Sequence, residues 1–474
     1  MAAKLTFKQK LRLSRPVNQN LIVGSVLFCC PGIYLALTGL GAGGGKPSSV
    51  HVGSLTNAIL YGIYFVAGWL AGTVLNFLKP KITIALGATG YPIYLGGLWY
   101  YDRTGQSAFP LAGGAILGLT AALLWTSSGY IQFAYAEEKD KAAYITQQWV
   151  MTCTGSTVGA LIAFGVNRDK QEATGVPAAI YITFVVIQAC AIILDLTMIV
   201  HPKDVVRDDG RHLAIFREPN LRDELLGLLA VLRDPKILIL WPAMFVGEMC
   251  LALVSSINAY YFNLRTRSLN NLLFQVIMIP APICLAMIMD NQKITSRRSR
   301  GLYGSAVVGV ISIAAMGGLL GWIIKNDVDR HLDPPAIDWS EPAFAAGFIL
   351  YLLFGIVYAC FQIATQWTLA ALTNDPSLCA RYAGAFKGTV SLGMCVSFVI
   401  DSEGVSYRNQ AIIQLLLYAL GLACLLYVIA VYVKETNYFA EEDVIVPAAV
   451  EEKLGGGGHD GVSVEVVHAE PLKK

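Results

Sequence analysis

The chain reads as an all-α membrane protein of about twelve transmembrane helices in two six-helix bundles. Three observations carry that reading. Hydrophobic residues make up 55% of the 474 residues and charged ones 14%, where a soluble globular chain carries roughly a quarter charged. Apolar runs of about 20 residues, the length that crosses a bilayer core as helix, recur along the whole chain. One long polar loop, 201–236, then separates six such runs from six more.

The runs lie near 18–40, 52–78, 81–100, 108–134, 142–166 and 176–200 in the first half. In the second they lie near 237–262, 271–290, 301–325, 343–373, 378–400 and 409–433. The tenth and eleventh are parted only by the short polar stretch "TNDPS" (373–377), and losing that break would leave eleven spans and move the C-terminus across the bilayer. The first 17 residues hold Lys4, Lys8, Lys10, Arg12 and Arg15 with no acid. The run after them is long enough to span and has no small-residue cleavage site, so it predicts a retained helix, not a cleaved leader. Basic flanks stay in the cytoplasm, and the loops alternating with that end carry a clear excess of Lys and Arg. Both termini are therefore expected in the cytoplasm.

The organisation that follows is a cytoplasmic tail (1–17), a six-helix bundle (18–200), a cytoplasmic linker (201–236), a second bundle (237–433) and an acidic, then Gly-rich tail (434–474) expected to be disordered. Inside the linker, Leu221, Leu225, Leu228, Leu229 and Leu232 share one helical face. That pattern suits a helix lying in the membrane interface, or one packed on the cytoplasmic ends of the bundle. "YITQQWVMTCTG" (144–155) and "YAGAFKGTVSLG" (382–393) form a weak internal repeat that pairs span five with span eleven, as duplicated halves require.

Several function classes fall away. The ten cysteines sit in apolar runs, as small buried hydrophobes do, and no metal-ligand spacing of His and Cys is present. "GLGAGGGKPS" (39–48) fails as a phosphate-binding loop, because Leu40 and Pro47 occupy two required positions. "GATGYPIYLGG" (87–97) and "GGAILG" (113–118) read as close helix packing. The basic residues are not pooled, which argues against nucleic acid. No catalytic constellation stands out, so neither an enzyme nor a cofactor is expected.

Between the second and third spans of each half, a small residue, three residues, an acid or its amide and then basic residues follow one another, which resembles the loop signature of the major facilitator superfamily: Gly, three residues, Asp, then basic residues. In the second half Ala286, Asp290, Arg297, Arg298 and Arg300 stand in the matching place. In the first half Gly72, Asn76, Lys79 and Lys81 do so, with Asn76 where the acid belongs. That departure puts a charge-based gate on that side in doubt. "LLWTSSGYIQFAYAEEKDKAAYI" (123–145), "FNLRTRSLNNLL" (262–273) and "ARYAGAFKG" (380–388) further resemble the uncoordinated-93-like family within that superfamily. The resemblance implies a major facilitator fold, two rigid bundles rocking about a central cavity lined by spans one, four, seven and ten. It implies no settled activity, since such relatives include suspected transporters, channel-associated subunits and trafficking partners.

Candidate residues follow from depth. Ionisable groups inside a bilayer cost a few kcal/mol by insertion scales and default to a functional reading. Glu248 lies eleven residues into span seven, roughly 16 Å along the helix axis, and Lys387 lies eight or nine residues into span eleven. The pair reads either as a protonatable, substrate-facing group or as an ion pair locking two helices, since burial opposes a charge that a close counter-ion favours. Tyr351, Tyr358, Gln362 and Gln366 share one face of span ten. Ser255 falls on the Glu248 face, and span four offers Tyr130 and Gln132. The stripe of Gln362 and Gln366 favours a cavity binding an organic solute, while Thr126 and Ser127 favour packing. Two function classes result: a secondary transporter of a small molecule or ion, proton-coupled in one form through Glu248, or a non-transporting membrane partner that regulates a channel or escorts other membrane proteins.

Overall fold

The computed structural model describes residues 6–35, 49–167, 178–216 and 218–455; the Gly-rich stretch 39–48 lies outside them. Among the described residues, ten helical stretches are long and apolar enough to cross a membrane. One of these, Leu55–Thr104, folds back on itself and supplies two spans, and Lys141–Asn167, richer in Gln and Thr, adds a further one. The spans are Pro16–Leu27 continued by Phe28–Gly32, the two arms of Ser49–Thr104, Ala108–Ala134, Lys141–Asn167 and Ala178–Met198. The second half has Pro235–Val246 with Cys250–Tyr261, Leu264–Ile277 with Pro280–Met289, Arg297–Lys325, Phe344–Leu372, Pro376–Ser402 and Tyr407–Tyr432. We number them one to twelve in that order.

Local chemistry sets the turns. Lys79 at φ 61°, ψ 164° breaks Ser49–Thr104 into arms 49–78 and 80–104, because Pro80 bars its predecessor from helical geometry. Positive φ at a non-glycine residue is strained, and the Lys79 Nζ closes the turn on the Asn76 carbonyl at 2.5 Å. Between spans ten and eleven, residues 373–375 leave the helix, and Asp375 caps the next one by accepting from Ser377 N at 2.9 Å with Pro376 in the first turn. The short "TNDPS" break is therefore real, and the eleven-span alternative falls.

Three spans expected to be continuous are interrupted. Span one passes through a π-helical turn, Phe28–Gly32, around Pro31. Span seven breaks at 247–249, where Gly247 is a weak helix former. Span eight breaks at 278–279, ahead of Pro280. Interrupted backbone at membrane depth must be satisfied by protein, and the Met249 carbonyl accepts from Ser397 Oγ at 2.9 Å and Gln414 Nε2 at 3.3 Å.

The halves meet most closely where span two crosses span eleven. Gly68 and Gly72 on one, Gly384 and Gly388 on the other, are spaced as small-xxx-small pairs. A Cβ on Gly68 would lie 2.6 Å from the Gly388 Cα, and one on Gly72 would lie 2.6 Å from the Ala380 carbonyl oxygen. Only hydrogen at these positions permits the approach.

Both described ends of the chain and the linker share one face of the molecule. Arg15 pairs with Asp208 at 2.6 Å, and Arg211 with Glu451 at 2.6 Å. The linker helix, Leu221–Arg233, packs on the bundle ends through Glu224, Leu228 and Val231. Of the five leucines expected on one buried or membrane-bound face, only Leu228 is buried; Leu221, Leu225, Leu229 and Leu232 stay exposed. The tail departs from its expectation. Asn437, Tyr438 and Val444 are buried against the bundle ends and Ala448–Gly455 is helical, so disorder does not begin at residue 434.

Candidate functional site

The breaks in spans one, seven and eight converge on a cavity between the two halves, enclosing about 690 Å³ of space that is partly open to solvent. Glu248 sits in the break of span seven. Its Oε1 lies 3.7 Å from Lys387 Nζ on span eleven, and its Oε2 accepts from the Tyr358 hydroxyl at 3.4 Å. The Lys387 ammonium stands 4.4 Å from the centre of the Trp125 ring, close enough for a cation–π contact across the two halves. Both charged side chains are largely withdrawn from solvent, at 6% and 12% exposure for Lys387 and Glu248. Removing either partner would leave the other charge desolvated and unpaired, a loss of about 3–5 kcal/mol for a buried pair.

Among the aliphatic and small residues of the remaining lining stands an aromatic wall: Tyr34, Tyr61, Tyr64, Tyr91, Trp125 and Trp149 from the first half face Tyr358 from the second. Trp149 and Tyr358 stand 5.9 Å apart between ring centres. Spans one, four, seven and ten contribute as the resemblance implies, joined by two, three, five, eight and eleven. Such a surface offers one cation, one anion, hydroxyls and broad π faces, the chemistry that holds an organic solute by stacking and a few polar contacts.

The structure brings together only part of the expected set. Glu248, Lys387 and Tyr358 meet in the cavity. Gln362 and Gln366 do not line it: both are buried on the terminal side of Tyr358, with Gln362 Nε2 donating to the Tyr358 carbonyl at 3.0 Å. Span ten is enclosed by its neighbours from Val357 to Leu372, so the polar stripe leaves the cavity after one residue. Ser255 lies beside the Tyr351 hydroxyl, outside the cavity. Tyr130 packs edge-on against Tyr135 at 5.7 Å. Gln132 belongs to a buried chain inside the first bundle: it donates to Gln148 Oε1 at 2.8 Å, and Gln148 donates to Asn20 Oδ1 at 2.7 Å. These are interhelical hydrogen bonds, the alternative that any polar side chain in a bundle carries.

Sequence reasoning missed the aromatic wall. An aromatic residue in an apolar run serves lipid, core or cavity alike, and only the neighbouring helices decide which. It also missed Asp195 on span six, fully buried with neither carboxylate oxygen hydrogen-bonded. Its signal was plain, an acid within an apolar run.

Below the cavity, the face bearing both described ends of the chain is closed. Asp290 accepts from Ala142 N at 3.2 Å and Ala143 N at 2.7 Å, at the start of span five, where free N–H groups and the helix dipole favour an anion. Burial nevertheless pushes its carboxyl up to about 7, against the pull of those two N–H groups. Arg297 pairs with Glu138 of the other half at 3.1 Å, and Arg298 donates to the Val433 carbonyl at 3.3 Å. On the pseudo-equivalent side, Asn76 Nδ2 donates to Glu224 Oε2 at 2.9 Å, and Glu224 pairs with Arg381 at 3.0 Å. The carboxylate that position 76 lacks is supplied by the linker helix. A charged contact therefore stands at that position: an ion pair between the linker and the second half, to which Asn76 of the first half is hydrogen-bonded. Lys141 completes the closure, reaching the Phe133 and Thr373 carbonyls at 2.9 and 3.2 Å. The "FNLRTRSLNNLL" segment lies at the opposite face, where Arg265 forks onto Asp338 at 2.5 and 2.8 Å and stacks over Trp339.

Comparison with known proteins agrees with this architecture. An uncharacterised membrane protein of Schizosaccharomyces pombe is 44% identical over 90% of this chain and 86% of its own length. UNC93-like protein 1 of Arabidopsis thaliana is 31% identical over 91% of this chain and 93% of its own. Among solved structures, the Escherichia coli fucose:proton symporter, a major facilitator superfamily transporter, superposes with a TM-score of 0.61 at 12% identity, covering 87% of this chain and 99% of that one. The family model described as "Ion channel regulatory protein UNC-93" matches residues 46–300. The chain is a multi-pass membrane protein with a major facilitator fold, and it belongs to the UNC-93 family.

Proposed function

We propose that this protein is a secondary transporter that moves a small organic solute by alternating access, with both termini in the cytoplasm. One observation carries the reading: an intramembrane Glu–Lys pair, its glutamate in a helix break, stands inside an aromatic-walled cavity to which both halves contribute. Discontinuous helices at the midplane are where transporters of this architecture build solute and ion sites. In the state described, the terminal face is sealed by Asp290, Glu138–Arg297 and Glu224–Arg381, none of which touches the cavity. Opening that face means breaking contacts between the halves while each half stays intact. A solute bringing its own charge competes for Glu248 or Lys387 and changes the pairing that spans the cavity. Proton coupling through Glu248 is the finer form of the proposal.

The test is a solute-uptake screen on protein reconstituted in liposomes, with and without an imposed pH gradient. Saturable uptake that Glu248→Gln abolishes supports the reading, and no uptake of any solute overturns it. The family description as a channel regulator supports a second reading, a non-transporting partner. That reading predicts no solute flux and an effect of cavity variants only on a co-assembled channel.

A further inference from the structure

The linker helix carries an apolar stripe that none of the described residues covers. Its buried face, Glu224, Leu228 and Val231, is already spent on the bundle ends. Beside that face, Leu221, Leu225, Leu229 and Leu232 are 60%, 46%, 47% and 41% exposed. At about 100° per residue these four fall within roughly 80° of arc. Arg222 and Arg233, both exposed, fall next to the stripe on the side away from the bundle. Exposed apolar stripes of this kind mark a binding surface.

Two observations identify the occupant as lipid. The first is continuity with the bilayer: Asp234 ends the linker helix and also caps span seven, accepting from Lys236 N at 2.9 Å. No slack separates the two helices, so the linker helix is held where span seven leaves the membrane. Leu238, in the first turn of that span, is exposed as a lipid-facing residue must be. The second is charge: leucines bordered by arginines fit acyl chains bordered by acidic headgroups, the arginine stems lying along the apolar boundary. We propose that the linker helix docks by this leucine stripe on an acidic lipid leaflet. The docked helix then holds Glu224 against Asn76 and Arg381, so the leaflet supports the closed terminal face.

The experiment uses the full chain in nanodiscs containing a trace of photoactivatable phosphatidylserine or phosphatidylcholine, with labelled peptides mapped by mass spectrometry. Phosphatidylserine is expected to label residues 221–233 several-fold more than phosphatidylcholine does, with an upper bound of about 30-fold for two arginines. Arg222→Gln with Arg233→Gln should erase that preference, and Leu225→Gln with Leu229→Gln should erase the labelling itself. Labelling of the spans reports in each case that the variant is folded. The proposal is overturned if the spans are labelled and residues 221–233 are not, if both headgroups label them equally, or if they cross-link only to protein.

Discussion

Replacing Gly68 with alanine inserts one methyl group where spans two and eleven touch. That Cβ would stand 2.6 Å from both the Cα and the N of Gly388, and 3.3 Å from the Lys387 carbonyl carbon. Carbon atoms rest about 3.5–4.0 Å apart, so the helices must part by about 1 Å, and backbone atoms have no rotamer through which to yield. Overpacking of this kind costs about 1–3 kcal/mol. Alanine also favours the helix over glycine, but equally in every state, so that gain cancels from the comparison. The closed-to-open ratio of the terminal face should fall about 5- to 150-fold, since 1.4 kcal/mol is tenfold. Spectroscopic labels at positions 139 and 293, in loops of opposite halves on that face, would report the change as a longer distance population. Gly62→Ala on the same span is the control, because its Cβ would meet only Cys395 Sγ, at an ordinary 3.8 Å. If Gly68→Ala and Gly62→Ala give the same distance distribution as the parent, the crossing does not control closure and the reasoning fails.

Four further outcomes are expected. Glu224→Gln removes the counter-charge of Arg381 and should open the same face by about 3 kcal/mol; adding Arg381→Leu should recover part of that loss, and no change with either variant would make the contact incidental. Asp290 should make closure pH-dependent, with this sign: a carboxyl raised to about 7 when closed and near its ordinary value when exposed holds a proton only in the closed state. Closure is therefore favoured at low pH and weakens as pH rises through 7, by roughly tenfold between pH 6 and pH 8, and a flat profile, or one unchanged in Asp290→Asn, would refute it. Glu248→Gln should abolish pH-driven accumulation in a correctly folded protein if the pair works in transport; if instead it unfolds the protein and Lys387→Met restores both fold and flux, the pair is scaffold. Reporters at positions 210 and 335 should read opposite sides of the membrane, and the same side for both would break the two-bundle topology.

Hydropathy is a property of consecutive residues, so the spans, the six-and-six division at 201–236 and the lone carboxylate in span seven were all legible before any fold was known. The "TNDPS" break was legible for the same reason, since Asp and Pro act on their own few residues. What faces the cavity was not, because a polar or aromatic side chain in a helix is a cavity residue or a packing residue according to what stands opposite. Gln366 and Tyr358 share one stripe, yet only Tyr358 reaches the cavity, since span ten is wrapped by its neighbours beyond it. The acid that position 76 lacks arrives from Glu224, 148 residues away, a distance no local pattern encodes. The glycine crossing has the same character. Gly68 and Gly388 mean little apart, and it is the approach of one backbone to another that makes the absent side chains matter.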